Sequence, residues 1–262
     1  MARALTEEMK RCLRHLVCGE NVSVKSSTGS ALIARGLVTE DHTLTPEGWM
    51  LSVGMLPLKE QCNLLNIPHE KISGLDFRGF PELAAWRYYT SLGYVGAYCE
   101  GGLVLLLIRS AALEALANLN TFESREDACT RFTEAQLEIH KAHASQLLAI
   151  IRSSNATQVA SAFEEIYASP MISEWYPGIT TDAVIRVFTV LGPERLAAIT
   201  SAIMEAPYTY RAGWPDLTMT NGTEMLWAEV KTTDKLHHSQ ITTLRRMKAL
   251  LPGQIRVVQL TP

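Results

Sequence analysis

Two stretches of alternating residues flank Asn221-Gly222 in the segment WPDLTMTNGTEMLWAEVK, residues 214–231. An Asn-Gly pair supplies the positive φ angles that a tight turn needs, so the segment has little freedom to be anything but an antiparallel hairpin. With a two-residue turn, Thr220 faces Thr223 and Asp216 faces Trp227. Side chains alternate along a strand. Asp216, Thr218, Thr220, Thr223, Met225, Trp227, Glu229 and Lys231 then share one face, and Leu217, Met219, Leu226, Ala228 and Val230 share the other. Glu229 falls diagonal to Asp216, roughly 7–8 Å away between backbones. Pro215 suits a strand's first position, where its missing N–H costs least.

Two acids and a lysine thus gather at one end of a sheet whose opposite face is apolar. That set suits phosphodiester hydrolysis. Paired carboxylates hold a hard divalent cation, Mg²⁺ or Mn²⁺, which keeps water positions open. The cation lowers the pKa of a bound water and offsets charge growing on the phosphate. A neighbouring lysine orients the water or stabilises the same charge. An exposed hairpin with ordinary surface charge carries the same residue types, so spacing alone leaves both readings open.

The rest of the chain frames this end. Its 262 residues, 47% hydrophobic, suffice for one large or two modest domains. The net charge is −3, yet residues 207–262 carry seven Lys/Arg against four acids. A basic end on an acidic chain still attracts a polyanion locally, because screening makes near charges count most. Lys235, Arg245, Lys248 and Arg211 are its candidate phosphate contacts, with solvated surface charge as the competing reading. Tyr208, Tyr210 and Trp214 offer aromatic faces for a base, or pack in the core or at its rim. The five cysteines form no C-x-x-C pair, which fits a reduced, cytoplasmic setting without disulfides or zinc. The longest apolar run, 103–108, is too short for a membrane span, and no membrane association is expected.

Residues 1–55 read as a small module: a helix capped by Thr6, a second over residues 27–34 ending at Gly36, two short strands at 37–38 and 43–45, and a stop at Pro46-Glu47-Gly48. The run ALIARGLVTEDHTLTPEGW resembles the recognition helix and wing of winged-helix proteins, a unit used both for duplex DNA and for protein packing. Residues 56–95 read as a helical connector, in which PELAAWRYYTSLG forms a helix stopped by Gly93. Residues 100–206 are rich in helix formers, and the chain ends with a helix over SQITTLRRMKALL and a strand over QIRVVQL.

The wording of the C-terminal motif goes further than its spacing. GWPDLTM…LWAEVKTTDKLHHSQITTL resembles the VRR-NUC domain of the PD-(D/E)XK nucleases, and within it the Fanconi-associated nuclease family. The matching pieces are Gly213-Trp214-Pro215-Asp216, then Glu229-Val230-Lys231, then Asp234-Lys235-Leu236 leading to Ser239-Gln240. YCEGGLVLLLIRSAALEAL resembles the family's upstream acidic segment and marks Glu100. The resemblance spans roughly residues 80–262. It implies Asp216 and Glu229 as metal ligands with the Val230 carbonyl a third, Lys231 as the catalytic lysine, Glu100 as a further acid of the metal site, and Gln240 as a support or backbone contact. Thr232-Thr233 stands where the family has Gly-Pro, and the chain lacks the long N-terminal region of the larger members.

The expectation is an α/β chain. A winged-helix-like module covers 1–55, and a VRR-NUC-like core of the PD-(D/E)XK type covers 96–262, with a helical insert at about 120–206. By resemblance it hydrolyses branched or flap DNA in repair or recombination, using Mg²⁺ or Mn²⁺ and no small-molecule cofactor. Two other functions stay open: an antibacterial or phage-associated DNase held by a protein inhibitor, and a DNA-binding protein with an inactive core.

Overall fold

The structure is a computed structural model that describes residues 4–20, 26–120 and 124–262; parts of the N-terminal module, residues 1–3 and 21–25, lie outside the described residues. The chain runs α1 (Glu7–Val17), α2 (Ser26–Ile33), α3 (Pro46–Met55), α4 (Leu58–Leu65), β1 (His69–Ser73), α5 (Pro81–Ser91), β2 (Val95–Tyr98) and α6 (Gly102–Leu119). Among the described residues, eight shorter helical segments follow, including a 3-10 turn (Lys141–His143). The α-helices among them are α7 (Arg125–Thr130), α8 (Thr133–Ile139), α9 (Ala144–Ser153), α10 (Ala156–Tyr167), α11 (Pro170–Trp175), α12 (Thr181–Leu191) and α13 (Pro193–Glu205). After α14 (Pro207–Tyr210) come β3 (Leu217–Thr220), β4 (Met225–Lys231), α15 (His238–Met247) and β5 (Gln254–Thr261).

The five strands among the described residues make one mixed sheet in the order β1-β5-β4-β3-β2. β1, β5 and β4 are mutually parallel, while β4, β3 and β2 form an antiparallel meander. The expected hairpin is β3–β4, but its register differs from a two-residue turn: Thr220 pairs with Met225 and Leu217 with Ala228. Asn221 explains the difference. Its side-chain oxygen accepts from the Thr223 amide, the Thr223 hydroxyl and the Glu224 amide, which closes a four-residue loop at 221–224. The slip is two residues, an even number, so every side chain keeps its expected face. Leu217, Met219, Leu226, Ala228 and Val230 do share an apolar cluster, closed by Ala85 and Tyr89 of α5. The other face is covered as well. Met225 and Trp227 join the core of the helical region built around α6. α6 is long and apolar enough to cross a membrane, but it is 78% buried inside the fold, where it carries that core.

Three expectations about the N-terminal third are corrected. Residues 56–95 are not a helical connector: β1 lies among them and extends the sheet, pairing along β5 from His69↔Val257 to Ser73↔Thr261. Pro46 does not stop a unit but opens α3, at a first-turn position where proline's missing N–H costs nothing, behind Thr45 as N-cap. The two short strands reduce to a single antiparallel bridge, Val38↔Leu44.

The N-terminal helices are continuous with the rest of the core. Val17, Val53 and Leu56 share one apolar cluster with Leu236, Ile241 and Leu244 around α15 and with Val257 of β5. Gln61, fully buried in α4, fastens this contact. Its side chain accepts from the Leu236 amide at 2.8 Å and donates to the carbonyls of Val53 at 3.0 Å and Leu236 at 3.3 Å. Gln61→Leu keeps the volume and strands these groups, so it is expected to cost about 1–3 kcal/mol in urea unfolding. An unchanged midpoint would mean that the loop rearranges to satisfy them.

Candidate active site

Asp216 sits just before β3, and continuing the β3–β4 register sets it directly opposite Glu229, closer than the diagonal expected from the sequence. Three backbone features hold this end of the sheet. Gly213 has φ 77°, and a Cβ there would lie 2.2 Å from the Ser239 carbonyl oxygen, so the segment before Asp216 is pressed against the start of α15. The Trp214 ring is buried, with its indole N–H on the Tyr210 carbonyl at 2.7 Å. Glu100 and Gly101 both have positive φ, 44° and 82°. A Cβ on Gly101 would come 2.4 Å from the Trp214 ring, so the Glu100-Gly101-Gly102 turn lies on the tryptophan that precedes Asp216 by two residues.

The carboxylates are deeply placed: Asp216 is 7% exposed and Glu229 1%. Asp216 Oδ2 accepts from the Val230 amide at 2.7 Å. Glu229 Oε1 accepts from the Lys231 ammonium at 2.8 Å and from the Gln240 side chain. Glu229 Oε2 is buried with no hydrogen-bond partner among the described residues. Lys231 Nζ also reaches Asp234 Oδ2 at 3.2 Å. Gln240 in turn accepts from the His237 amide, which ties the start of α15 to the site.

Burial pushes the Asp216 carboxyl up to about 7; the Val230 amide and Lys231 resist this, and Glu82 and Glu100 add to it. Glu229 is pushed well above the usual carboxylate range by burial and by Asp216 facing it. Burial alone would lower the Lys231 ammonium, but Glu229 and Asp234 outweigh it and hold the lysine charged.

A cavity of about 470 Å³ opens on Asp216, lined by Glu82, Tyr98, Cys99, Glu100 and Trp175. Glu100 therefore lines the same cavity as Asp216, and Glu82 is an acid there that the sequence reading missed. It occupies the first turn of α5, where an acid is ordinary because the helix dipole favours it. Its one clue was position, just before the short strand that leads to Glu100. Among the described residues no three His, Cys, Asp or Glu side chains close into a ready metal cage. Two opposed carboxylates with one orphaned, buried oxygen do fit a hard divalent cation, which would supply the missing partner.

The expected phosphate contacts divide. Lys235 is exposed beside the site, in a groove shared with Met50, Leu51 and Leu58. Arg211 is half exposed, 3.4 Å from Glu134 and over the Tyr208 ring. Arg245 stacks on Trp49 of α3 at 4.2 Å, and Lys248 caps the end of α4 through the Leu65 and Asn66 carbonyls. Both of these cations fasten the N-terminal helices to α15.

The mixed α/β fold is similar to that of two crystal structures of paFAN1 (Fanconi-associated nuclease 1), bound to DNA with a 2-nucleotide or a 1-nucleotide 5′ flap with gap. The TM-scores are 0.54 and 0.51, at 17% sequence identity over 97% of this chain. The chain spans about half the length of those structures, covering 49% of each. No protein-family model matches the chain, and no curated protein does.

Proposed function

We propose that this chain is a Mg²⁺- or Mn²⁺-dependent DNA nuclease that hydrolyses phosphodiester bonds in branched or flap DNA. The observation that carries the reading is the opposition of Asp216 and Glu229, with Lys231 hydrogen-bonded to Glu229, at a sheet end open to a cavity of acids. In this reading the sheet is a PD-(D/E)XK core and residues 1–55 are a winged-helix-like module packed on it. The likeness to structures holding flap DNA supports the substrate class.

Asp216, Glu229 and the Val230 carbonyl would hold the cation, with Glu82 and Glu100 across the cavity. When bound, it supplies Lewis acidity toward the phosphate and a more acidic water. Asp216 is aimed by the Val230 amide, and Glu229 by Gln240 and Lys231, so both carboxylates are oriented before substrate arrives. Lys231, held charged between Glu229 and Asp234, donates to the attacking water or to a non-bridging phosphate oxygen. Preorganisation matters because these buried groups are worth most where charge develops on the phosphate.

The test is cleavage of labelled linear, flap and junction DNAs in Mn²⁺ and in EDTA. Metal-dependent cleavage with preference for a flap or junction is expected; full cleavage in EDTA would overturn the reading. Within it, Glu82→Gln and Glu100→Gln are each expected to lower cleavage roughly tenfold or more and to raise the Mn²⁺ concentration needed for half-maximal rate. A metal requirement unmoved in both variants would reduce these acids to helix and turn residues.

A further inference from the structure

Asp216, Glu82 and Glu100 share their cavity with two aromatic rings that the hydrolytic chemistry does not use. Trp175 is 51% exposed and Tyr98 is 39% exposed, and both line the cavity together with Glu82, Glu100 and Asp216. A single exposed ring is ordinary, but two in one cavity make an apolar patch of the kind that covers a ligand. Each ring is also braced. Trp175 stacks on Phe132 with 4.4 Å between centroids and 18° between planes, which covers one face and leaves the other. The next residue, Tyr176, anchors it: a Cβ on Gly102 would lie 2.4 Å from the Tyr176 ring, and the Tyr167 hydroxyl donates to the Tyr176 carbonyl at 2.7 Å. Trp175 is thus fixed relative to the Glu100-Gly101-Gly102 turn. Tyr98 leans on Trp86 at 5.7 Å, and the Trp86 indole is held by the Gly96 carbonyl.

Two braced aromatic walls beside a phosphodiester-cleaving centre form a stacking platform. At about 470 Å³ the cavity falls within the ~300–1,000 Å³ range of small-ligand sites, room for one base with its sugar. A base inside a duplex already has neighbours on both faces, so only an unpaired or extruded base can offer a face to Trp175. We infer that Trp175 and Tyr98 form a stacking site for one unpaired base of the DNA strand being cut, next to the scissile phosphate. This inference rests on the nuclease reading and adds to it the residues that would make cleavage depend on an unpaired nucleotide.

The test is a cycle between protein and substrate. Flap substrates are made with a single abasic position stepped along the nucleotides flanking the cut. In the wild-type protein, one abasic position is expected to lower kcat/KM roughly ten- to a hundredfold, the range of one base–aromatic stack. Trp175→Leu should lose a similar factor on the intact substrate and be indifferent to that same abasic position. Trp175→Phe should keep most of the rate and most of the abasic penalty, and Tyr98→Ala should shrink the penalty. The penalty is a ratio within one protein, so partial unfolding of a variant does not disguise it. An abasic penalty of wild-type size in Trp175→Leu, or no abasic penalty at any position in the wild type, would overturn the inference. Should the wild-type protein cleave nothing in Mn²⁺, the nuclease reading fails, and the same cycle is read in EDTA from the Kd of a labelled single strand. A Trp175-dependent penalty there supports the stacking site by itself, and its absence overturns it.

Discussion

Asp216→Asn and Glu229→Gln are expected to lower cleavage by at least roughly 10²–10³ while DNA binding stays within a few-fold of the wild type. Both substitutions keep shape and remove charge from a pair of opposed, buried carboxylates. The loss falls on the transition state, where one preorganised electrostatic contact commonly carries that factor. Affinity comes from contacts spread along the strand, so it is not lost with the site. Lys231→Ala should lose a similar factor for a different reason. It removes the cation that Glu229 and Asp234 hold in place and leaves Glu229 with a weaker grip on its orientation. The measurement is single-turnover cleavage at saturating protein beside an anisotropy titration in EDTA. Parallel losses in rate and affinity would mean that these residues bind DNA rather than cut it. Wild-type rates in all three variants would leave a nuclease-like fold without nuclease chemistry.

The grouping of Asp216, Glu229 and Lys231 was more legible in the sequence than the fold around it. Asp216, Glu229 and Lys231 could be set on one face because strand periodicity is strict, and that assignment survived a wrong loop length because the true slip is even. The loop was misjudged because Asn221 was read as a backbone turn residue, while its side chain accepts three hydrogen bonds and lengthens the turn. β1 was missed because HEKIS has neither alternation nor an apolar run. It becomes a strand by docking beside β5, a tertiary event invisible to local pattern. Pro46 illustrates a sign ambiguity: a proline that closes one element also opens the next helix at its first turn, as Pro81 does for α5. Glu82 was overlooked because its local setting explains it fully, and only the folded sheet brings it near Asp216. The packing of the N-terminal helices through Gln61 and Arg245 follows from contacts about 175 to 200 residues apart in sequence, which no window along the chain reports.

The same carboxylate variants should make the metal-free protein more stable. The Asp216 carboxyl rises from an ordinary 3.8 to about 7 on folding, so the folded chain binds its proton more tightly than the unfolded chain does. Stability therefore falls as pH rises between those values, and the loss is complete above about pH 7. A rise of that size corresponds to about 4 kcal/mol at pH 8. Asp216→Asn carries no charge to desolvate, and its oxygen can still accept from the Val230 amide, so its stability should be nearly flat over the same range. In EDTA at pH 8 its urea midpoint and Tm should exceed those of the wild type, and the two proteins should converge near pH 4. Glu229→Gln should gain less, since burial and Asp216 push its carboxyl in the same direction but the substitution also takes the partner of the buried Lys231 ammonium. Adding Mn²⁺ at pH 8 should reverse the order, because a cation bound to the native wild-type site stabilises it by mass action and the variants have lost its ligands. An Asp216→Asn protein less stable than the wild type at pH 8 in EDTA would mean that the carboxylate is satisfied without metal, and the case for a cation between Asp216 and Glu229 would fall with it.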